Sequence, residues 1–181
     1  MIRSFAAAVA VLACAGCSQL AVETTSFSVS AATGPTLNGS GYSVNVPMGW
    51  GPSKQRIAGF EADAIAFNLR DKDSFADNLN VVLHPGGAAT PQEAEESAER
   101  DLASDAIAYI TVNDRVRVAE GESAHVTAAA TLSGNDYMIE QFYPTDDDQT
   151  YIVTFSFSTT LTAEERARVT DATLVSWDWT D

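Results

Sequence analysis

The sequence predicts an α+β domain in which helices pack on a central antiparallel sheet. Three observations support this fold class: several short stretches alternate apolar and polar residues, two stretches have helical periodicity behind a capping box, and the later strands are joined by short links. The elements follow the order of three strands, a helix, four strands and a final helix. Such runs of strands are typical of antiparallel pairing rather than of alternating βα units.

The first three strands are predicted at residues 42–46, 62–69 and 78–84, where apolar side chains recur at every second position. Pro47 ends the first of them, and a turn that contains Trp50 follows. The side chains expected to share one face of the second and third strands are Ile65, Phe67 and Leu69, and Leu79, Val81 and Leu83.

One helix is predicted at residues 91–109. Thr90 and Glu93 form a capping box, and Pro91 occupies the first helical position, where its missing N–H removes no hydrogen bond. The stripe expected to face the sheet consists of Ala94, Ala98, Leu102, Ala106 and Tyr109.

The second half of the chain predicts four strands and another helix. The strands are expected at residues 115–119, 122–132, 137–143 and 151–158, with turns at 134–136 and 144–149. A second capping box, formed by Thr162 and Glu165, opens a helix that extends to about Ser176. Trp177 and Trp179 follow, with their side chains on one side of the chain.

The N-terminal stretch indicates export. Arg3 is followed by an uncharged apolar run that is too short to span a bilayer, which needs about 20 residues. Small residues then lead into Cys17, and this pattern resembles a bacterial lipobox, in which the cysteine becomes the lipidated first residue of the mature protein. We therefore expect residues 1–16 to be a lipoprotein signal peptide and Cys17 to carry the lipid.

Cys14 leaves alternatives open. It stands where leucine is usual in a lipobox, and a shifted pattern that ends at Cys14 also fits but leaves a shorter apolar core. Cys17 is favoured, with lipidation of Cys14, plain secretion or an uncleaved leader as alternatives. A redox or metal pair is disfavoured, because no further cysteine supplies ligands and no βαβ context lowers a thiol pKa.

The next segment predicts a flexible tether. Residues 17–40 are rich in Ser, Thr, Ala and Gly and carry one charge, although an alternation at Phe27 and Val29 leaves room for an extra edge strand. The folded domain is then expected at residues 41–181. We expect an extracytoplasmic protein, anchored to the bacterial cell membrane by its N-terminal lipid.

The composition is acidic. Ten Lys and Arg residues against 25 Asp and Glu residues give a formal net charge of −15, and removal of Arg3 with the signal would make it −16. Such a surface repels nucleic acid and anionic headgroups, so nucleic-acid binding is excluded as a function class. We expect a monomer.

Two motifs carry a family resemblance. The stretch G-Y-S-V-N-V-P-M-G-W at residues 41–50 resembles the opening of Mog1/PsbP-like domains, and D-N-L-N-V-V at 77–82, with the T-P-Q-E helix after it, is similar to the actinobacterial LpqN-type lipoprotein family within that fold. The resemblance covers residues 41–181 and implies an α/β/α sandwich around an antiparallel sheet. It further implies an accessory or binding role in the cell envelope, and it brings no catalytic residues.

No catalytic constellation is evident in the sequence. The G-x-S-x-G elbow is missing, and neither His84, at a strand end, nor His125, on the face opposite Val126, has a nucleophile pattern beside it. Phosphate-binding glycine loops are missing as well. We therefore expect a non-enzymatic protein without a cofactor, with an unrecognised hydrolase as the alternative.

Two acidic stretches are the candidates for a cation site. Residues 71–77 begin like an EF-hand loop, but Ala76 replaces the turn glycine and Val82 the bidentate glutamate. The three aspartates at 146–148 lie in a predicted hairpin turn, where the backbone favours aspartate. We therefore expect no metal.

Trp50 and Trp177 are the candidate ligand-contacting residues, because an apolar cleft with aromatic lining is the usual form of a small-molecule site. Their residue type favours a place in the core or in a lid for both, so ligand contact is the less favoured of the two interpretations. The sequence thus predicts a membrane-anchored binding or accessory protein of the cell envelope, whose partner is an envelope lipid or glycolipid. A protein–protein adaptor of the export or cell-wall machinery is the alternative.

Overall fold

The computed structural model describes residues 24–52, 61–71, 75–103, 106–132 and 134–180. Its helices are α1 (Pro91–Leu102) and α2 (Ala163–Leu174). Its strands are β1 (Thr36–Asn38), β2 (Tyr42–Asn45), β3 (Trp50–Pro52), β4 (Ala64–Asn68), β5 (Asn78–Leu83), β6 (Ile107–Val112), β7 (Val116–Val118), β8 (Gly121–Leu132), β9 (Asn135–Tyr143), β10 (Tyr151–Ser158) and β11 (Asp178–Trp179).

The strands form two antiparallel sheets. The larger sheet has the strand order β3-β4-β5-β10-β9-β8-β6, and β7 pairs with the first residues of β8. The smaller sheet has the order β1-β2-β11, so the first and the last strand of the described chain lie on either side of β2. Strands that are close in sequence are mostly neighbours, as short links require.

The register of the larger sheet assigns side chains to its two faces. His125 lies opposite Phe142 and shares a face with it, whereas the next residue, Val126, points to the other face. Helix α1 packs on the Val126 face through Ala94 and Ala98. Helix α2 and the smaller sheet lie on the His125 face. A helix therefore covers each face of the sheet, in agreement with the predicted α+β sandwich.

The main core lies between the His125 face, the smaller sheet and α2. Tyr42 stacks on Trp177 with ring centroids 4.3 Å apart, and Trp50 meets Phe157 edge to face at 6.5 Å. Burial of one large apolar side chain stabilises the fold by about 1.5–3 kcal/mol, so this cluster is a major source of stability. Its members are Leu37, Tyr42, Val44, Val46, Trp50, Ala66, Leu79, Val81, Val116, Val118, Phe142, Tyr151, Val153, Phe155, Phe157, Leu174 and Trp177.

Several local predictions are confirmed. In both capping boxes the threonine side chain accepts from a backbone N–H of the first helical turn, and the glutamate accepts from the threonine N–H. Strand β10 covers the predicted residues 151–158. The hairpin before β9 is tighter than predicted, since Leu132 pairs with Asn135 and Gly134 has a φ of 82°.

Helix α1 is shorter than predicted. It ends at Leu102, Ala103 is already extended, and residues 107–112 form β6 at one edge of the larger sheet. Tyr109, predicted to face the sheet from the helix, is instead 87% exposed, with a φ of 53° beside a bulge. The spacing of apolar residues up to Tyr109 fits a helix. The run I-A-Y-I-T-V, however, is rich in β-branched and aromatic residues, and it forms a strand because β8 supplies main-chain hydrogen-bond partners.

Strand β4 alternates as predicted, but its burial differs. Ala66 is fully buried and belongs to the main core. Its neighbours Ile65 and Phe67 are half-buried on the opposite face of the larger sheet. Leu69 lies beyond the end of β4 and is 70% exposed. The small side chain is inside because the aromatic residues of β10 and the smaller sheet already fill the core at this point.

Residues 24–40 pack against the domain, in contrast to the flexible tether predicted for 17–40. Strand β1 pairs with β2 and buries Leu37. Further upstream, Thr25 N donates to Arg115 O at 2.9 Å, and Arg117 N donates to Thr25 O at 3.0 Å. The packed part of the chain therefore begins before residue 41.

The predicted export segment, residues 1–16, precedes the first described residue, Thr24. Residues 1–16, Cys14 and Cys17 lie outside the described residues. Neither of the described helices has the length and apolar character needed to cross a membrane. Export and lipidation therefore stay predictions.

Candidate functional site

An open cleft of about 250 Å³ lies at the C-terminal end of α2. Its walls come from three segments that are far apart in sequence: residues 26–27, residues 117–120 and residues 174–177. Leu174 and Trp177 are buried and form the floor, whereas most side chains at the entrance are exposed. We call this feature the Trp177 cleft; its lining residues are Ser26, Phe27, Arg117, Ala119, Glu120, Leu174, Val175 and Trp177.

Trp177 is fixed by packing, yet its indole N–H is unpaired. Its ring lies almost parallel to Tyr42, and its main-chain N–H donates to Leu174 O at 3.1 Å. Nε1 is buried without an acceptor in the described part of the chain, and the Tyr42 hydroxyl also lacks a partner of normal geometry. Burial, and after it the nearby Asp63 carboxylate, raise the pKa of Tyr42 above its ordinary value. A buried donor without an acceptor lowers the stability of the fold by about 1–3 kcal/mol. The floor of the cleft therefore contains an N–H group whose hydrogen bond is not made.

The turn between β7 and β8 is strained. Val118 pairs with Gly121, so Ala119 and Glu120 are the two central residues, with φ values of 43° and 70°. Such two-residue hairpins favour Asn and Gly, and a non-glycine residue in the left-handed region costs about 1–3 kcal/mol. Arg117 Nη1 donates to Glu120 O at 2.6 Å and holds the turn. Backbone strain of this kind is common at functional sites. The strained turn is therefore a second reason to regard the Trp177 cleft as a candidate functional site.

The strap, residues 24–34, supplies the remaining wall. The Thr24 hydroxyl donates to the Glu122 carboxylate, which also accepts from Arg115 Nη1 at 3.0 Å. The Thr24 hydroxyl first, and Arg115 after it, hold the pKa of Glu122 below its usual value against the opposing effect of burial. Phe27 is half-buried and packs against the main core.

The two tryptophans predicted to contact a ligand share one core cluster but not one cleft. Trp177 lines the cleft, while Trp50 is 5% exposed, packs on Phe157 and does not line it. Sequence reasoning missed Phe27 and Arg117 as lining residues. The alternation at Phe27 and Val29 was the available signal for the first, and nothing local marks the second.

A second polar constellation lies beneath α2. Glu140 on β9 accepts from Arg166 Nε at 2.9 Å and lies 3.0 Å from His125 Nε2. The side chains of Glu140 and Arg166 are only 9% and 12% exposed. The His125 ring stacks on Phe142 at 4.3 Å, and burial raises the pKa of the nearby Asp171. In the part of the chain that is described, no hydroxyl side chain hydrogen-bonds to His125, so these contacts support a role in holding α2 on the sheet.

Among the remaining candidates from the sequence, His84, Asp71 and Asp77 have structural partners, Asp146 accepts from Asp147 N at 2.8 Å, and residues 72–74 lie outside the described residues. His84 Nδ1 accepts from Gly86 N at 3.2 Å at the end of β5. Asp71 accepts from the main chain of Asp77, which in turn accepts from Ser158 N, each at 2.8 Å. Within the described ranges, no group of three or more potential ligand side chains is arranged to hold a metal ion.

No protein-family model and no curated protein matches this sequence. Solved structures do match its fold. LpqN of Mycobacterium tuberculosis, described as involved in cell envelope biogenesis, aligns with a TM-score of 0.53 at 11% identity, over 79% of this chain and 86% of LpqN. Cyanobacterial PsbP from Synechocystis aligns with a TM-score of 0.50 at 12% identity, over 77% of this chain and 87% of PsbP.

A protein from Bacteroides thetaiotaomicron also matches, with a TM-score of 0.50 at 14% identity, over 77% of this chain. The alignment spans only 45% of that longer protein. At such identities these likenesses show the fold alone. They confirm the predicted α+β fold class of the Mog1/PsbP type.

Proposed function

We propose that this chain is an LpqN-type lipoprotein of the bacterial cell envelope that binds an envelope lipid or glycolipid and catalyses no reaction. Cys17 carries the lipid anchor, and the Trp177 cleft receives an acyl chain of the ligand. The observation that supports this proposal most is the cleft itself, with Phe27, Leu174 and Trp177 as apolar lining. LpqN, the fold neighbour described as involved in cell envelope biogenesis, supports the envelope as the place of action.

The size of the cleft suits a segment of one acyl chain. Its volume of about 250 Å³ is slightly below the ~300–1,000 Å³ of pockets that enclose drug-sized ligands. The head group therefore stays outside, beside the exposed Arg117 and Glu120. Each buried methylene contributes about 0.8 kcal/mol, so even a short inserted segment supplies useful affinity.

The cleft also lies close to the proposed anchor. Thr24 follows Cys17 by seven residues, which span at most about 25 Å when extended. From Thr24 onward the strap is bonded to the domain and lines the cleft. The entrance is thereby held within reach of lipids at the membrane surface.

A protein–protein adaptor is the second candidate, and β6 is the observation that favours it. This edge strand exposes Tyr109 and Val112 and has no partner on its outer side in the described chain. Such an edge can accept a strand from another protein. The bulge between Ala108 and Thr111 opposes regular pairing there, which is why lipid binding is preferred.

Lipid occupancy of the purified protein tests the proposal. The full chain is extracted from its own membrane fraction and examined by native mass spectrometry, as wild type, Val175→Trp and Val112→Trp. Both valines are similarly exposed, at 39% and 38%, but only Val175 lines the cleft. We expect a lipid adduct on wild type and Val112→Trp that is lost from Val175→Trp, where the indole fills the cleft. Lipid-free wild type, together with one dominant protein crosslinked in cells, would favour the adaptor instead.

A further inference from the structure

We infer that residues 24–31 of the strap, which form one wall of the open Trp177 cleft, act as a lid hinged at residues 32–34, and that this lid lifts further to admit an acyl chain to the floor of the cleft. This inference rests on the proposed function, because it describes how the same cleft opens. Three features of the described residues support it: the bonding of the strap, the rigidity of the other walls and the unpaired indole of the floor.

The strap is bonded to the domain at its ends and not between them. Thr25 makes two main-chain hydrogen bonds with the start of β7, and Ala32 N donates to Ala172 O at 2.7 Å. In the described chain no hydrogen bond joins residues 26–31 to the domain. Phe27 is half-buried, and the other five of these residues are exposed. Residues 24–31 are therefore freed when the hydrogen bonds of Thr24 and Thr25 break and the Phe27 side chain leaves the core.

The other two walls have no comparable freedom. The turn of Ala119 and Glu120 is closed by the β7–β8 pairing and by the hydrogen bond from Arg117. Leu174 and Trp177 belong to the main core and adjoin β11, which pairs with β2. Movement of the strap breaks one bridge, between Thr25 and Val116, and the contact of one half-buried side chain, Phe27, whereas movement of either other wall breaks a paired strand or the main core.

In the conformation of this structure the Trp177 indole leaves one hydrogen bond unmade. Trp177 Nε1 has no acceptor among the described residues and has almost no accessible surface, so a ligand cannot reach it in this conformation. Phe27 and Trp177 line the same cleft, so we expect movement of Phe27 away from the domain to widen the cleft beside the indole. Water or a ligand oxygen can then satisfy the indole, which favours the open state.

A reversible disulfide tests the lid directly. Thr25 and Val116 are bridge partners, so Thr25→Cys with Val116→Cys places two thiols across a main-chain bridge. Cys14→Ser removes the thiol that a lipidated but uncleaved chain would keep, since the proposed lipid blocks Cys17. The full-length protein in detergent is mixed with dansyl-labelled undecanoic acid in a stopped-flow fluorimeter, before and after reduction. We expect association to be about tenfold or more slower in the oxidised form, because the bond removes the open state from the equilibrium.

A second variant keeps the test decisive, because Val116 is buried and its replacement can impair folding. Phe27→Ser removes the half-buried side chain of the lid and is expected to speed association several-fold, while Val112→Ser, at a residue that does not line the cleft, leaves the rate unchanged. If the disulfide variant does not fold, Phe27→Ser alone decides. Equal rates in the oxidised and reduced forms, or an unchanged rate in Phe27→Ser, overturn the lid and leave ligand binding intact. Absence of binding by every form, wild type included, overturns the proposed function as well.

Discussion

Replacement of Trp177 by alanine is expected to lower the free energy of unfolding by about 3–5 kcal/mol. The side chain is 4% exposed and lies flat on Tyr42, with Tyr151 and Trp179 at centroid distances of 6.0 and 5.5 Å. These rings are held by their own contacts, so the space left by the indole closes only partly. Urea unfolding followed by circular dichroism measures the loss, and an unchanged slope shows that the two end states are comparable.

The matched substitution Trp177→Phe separates packing from hydrogen bonding. Phenylalanine keeps an aromatic ring on Tyr42 and removes the unpaired donor, so we expect a much smaller loss than in Trp177→Ala. A loss below about 1 kcal/mol in Trp177→Ala, which is ordinary for a surface position, would contradict the core position of this residue.

Replacement of Glu140 by leucine is expected to cost about 3–5 kcal/mol, because it leaves the Arg166 guanidinium buried beneath α2 without its carboxylate. The two side chains are 9% and 12% exposed, and His125 loses its partner at the same time. Urea unfolding again supplies the measurement. Glu164→Gln is the matched control, since its pair with Arg168 is 80% and 65% exposed and is screened by solvent. We expect that control to leave stability unchanged within error.

A double variant shows whether the loss comes from the orphaned charge. Glu140→Leu combined with Arg166→Met removes both charges and keeps apolar volume, so it should recover much of the stability lost in Glu140→Leu alone. If Glu140→Leu is as mild as Glu164→Gln, the cluster does not hold α2 on the sheet.

Elements with a local signal could be predicted from the sequence. Strand β10 was found at its observed residues because its alternation spans eight positions, and both helix starts were found because a capping box is complete within four residues. The end of α1 was placed too late, because the partner that turns residues 107–112 into a strand is β8, which comes later in the chain. Strands β1 and β11 have three and two residues, too few for a periodic pattern.

Only part of the candidate site could be predicted from the sequence, because its other residues come from segments that are distant in the chain. The residue type alone makes both Trp50 and Trp177 candidates for ligand contact. Of the two, Trp177 lines the cleft and Trp50 does not. The small and polar residues of the strap are typical of a tether, whereas the hydrogen bonds that hold Thr25 come from Arg115 and Arg117, about 90 residues later in the chain. A surface that is assembled from distant segments has no signature in any one of them.

Photo-crosslinking tests the central claim, acyl-chain binding in the Trp177 cleft, most directly. A fatty acid with a diazirine on its chain is added to the full-length protein in detergent, irradiated, and located by peptide mass spectrometry. The account predicts label on Phe27, Leu174 and Val175, lost in Val175→Trp and kept in Val112→Trp. Label concentrated elsewhere, for example on the half-buried Ile65 and Phe67 of β4, or label unaffected by Val175→Trp, would contradict it.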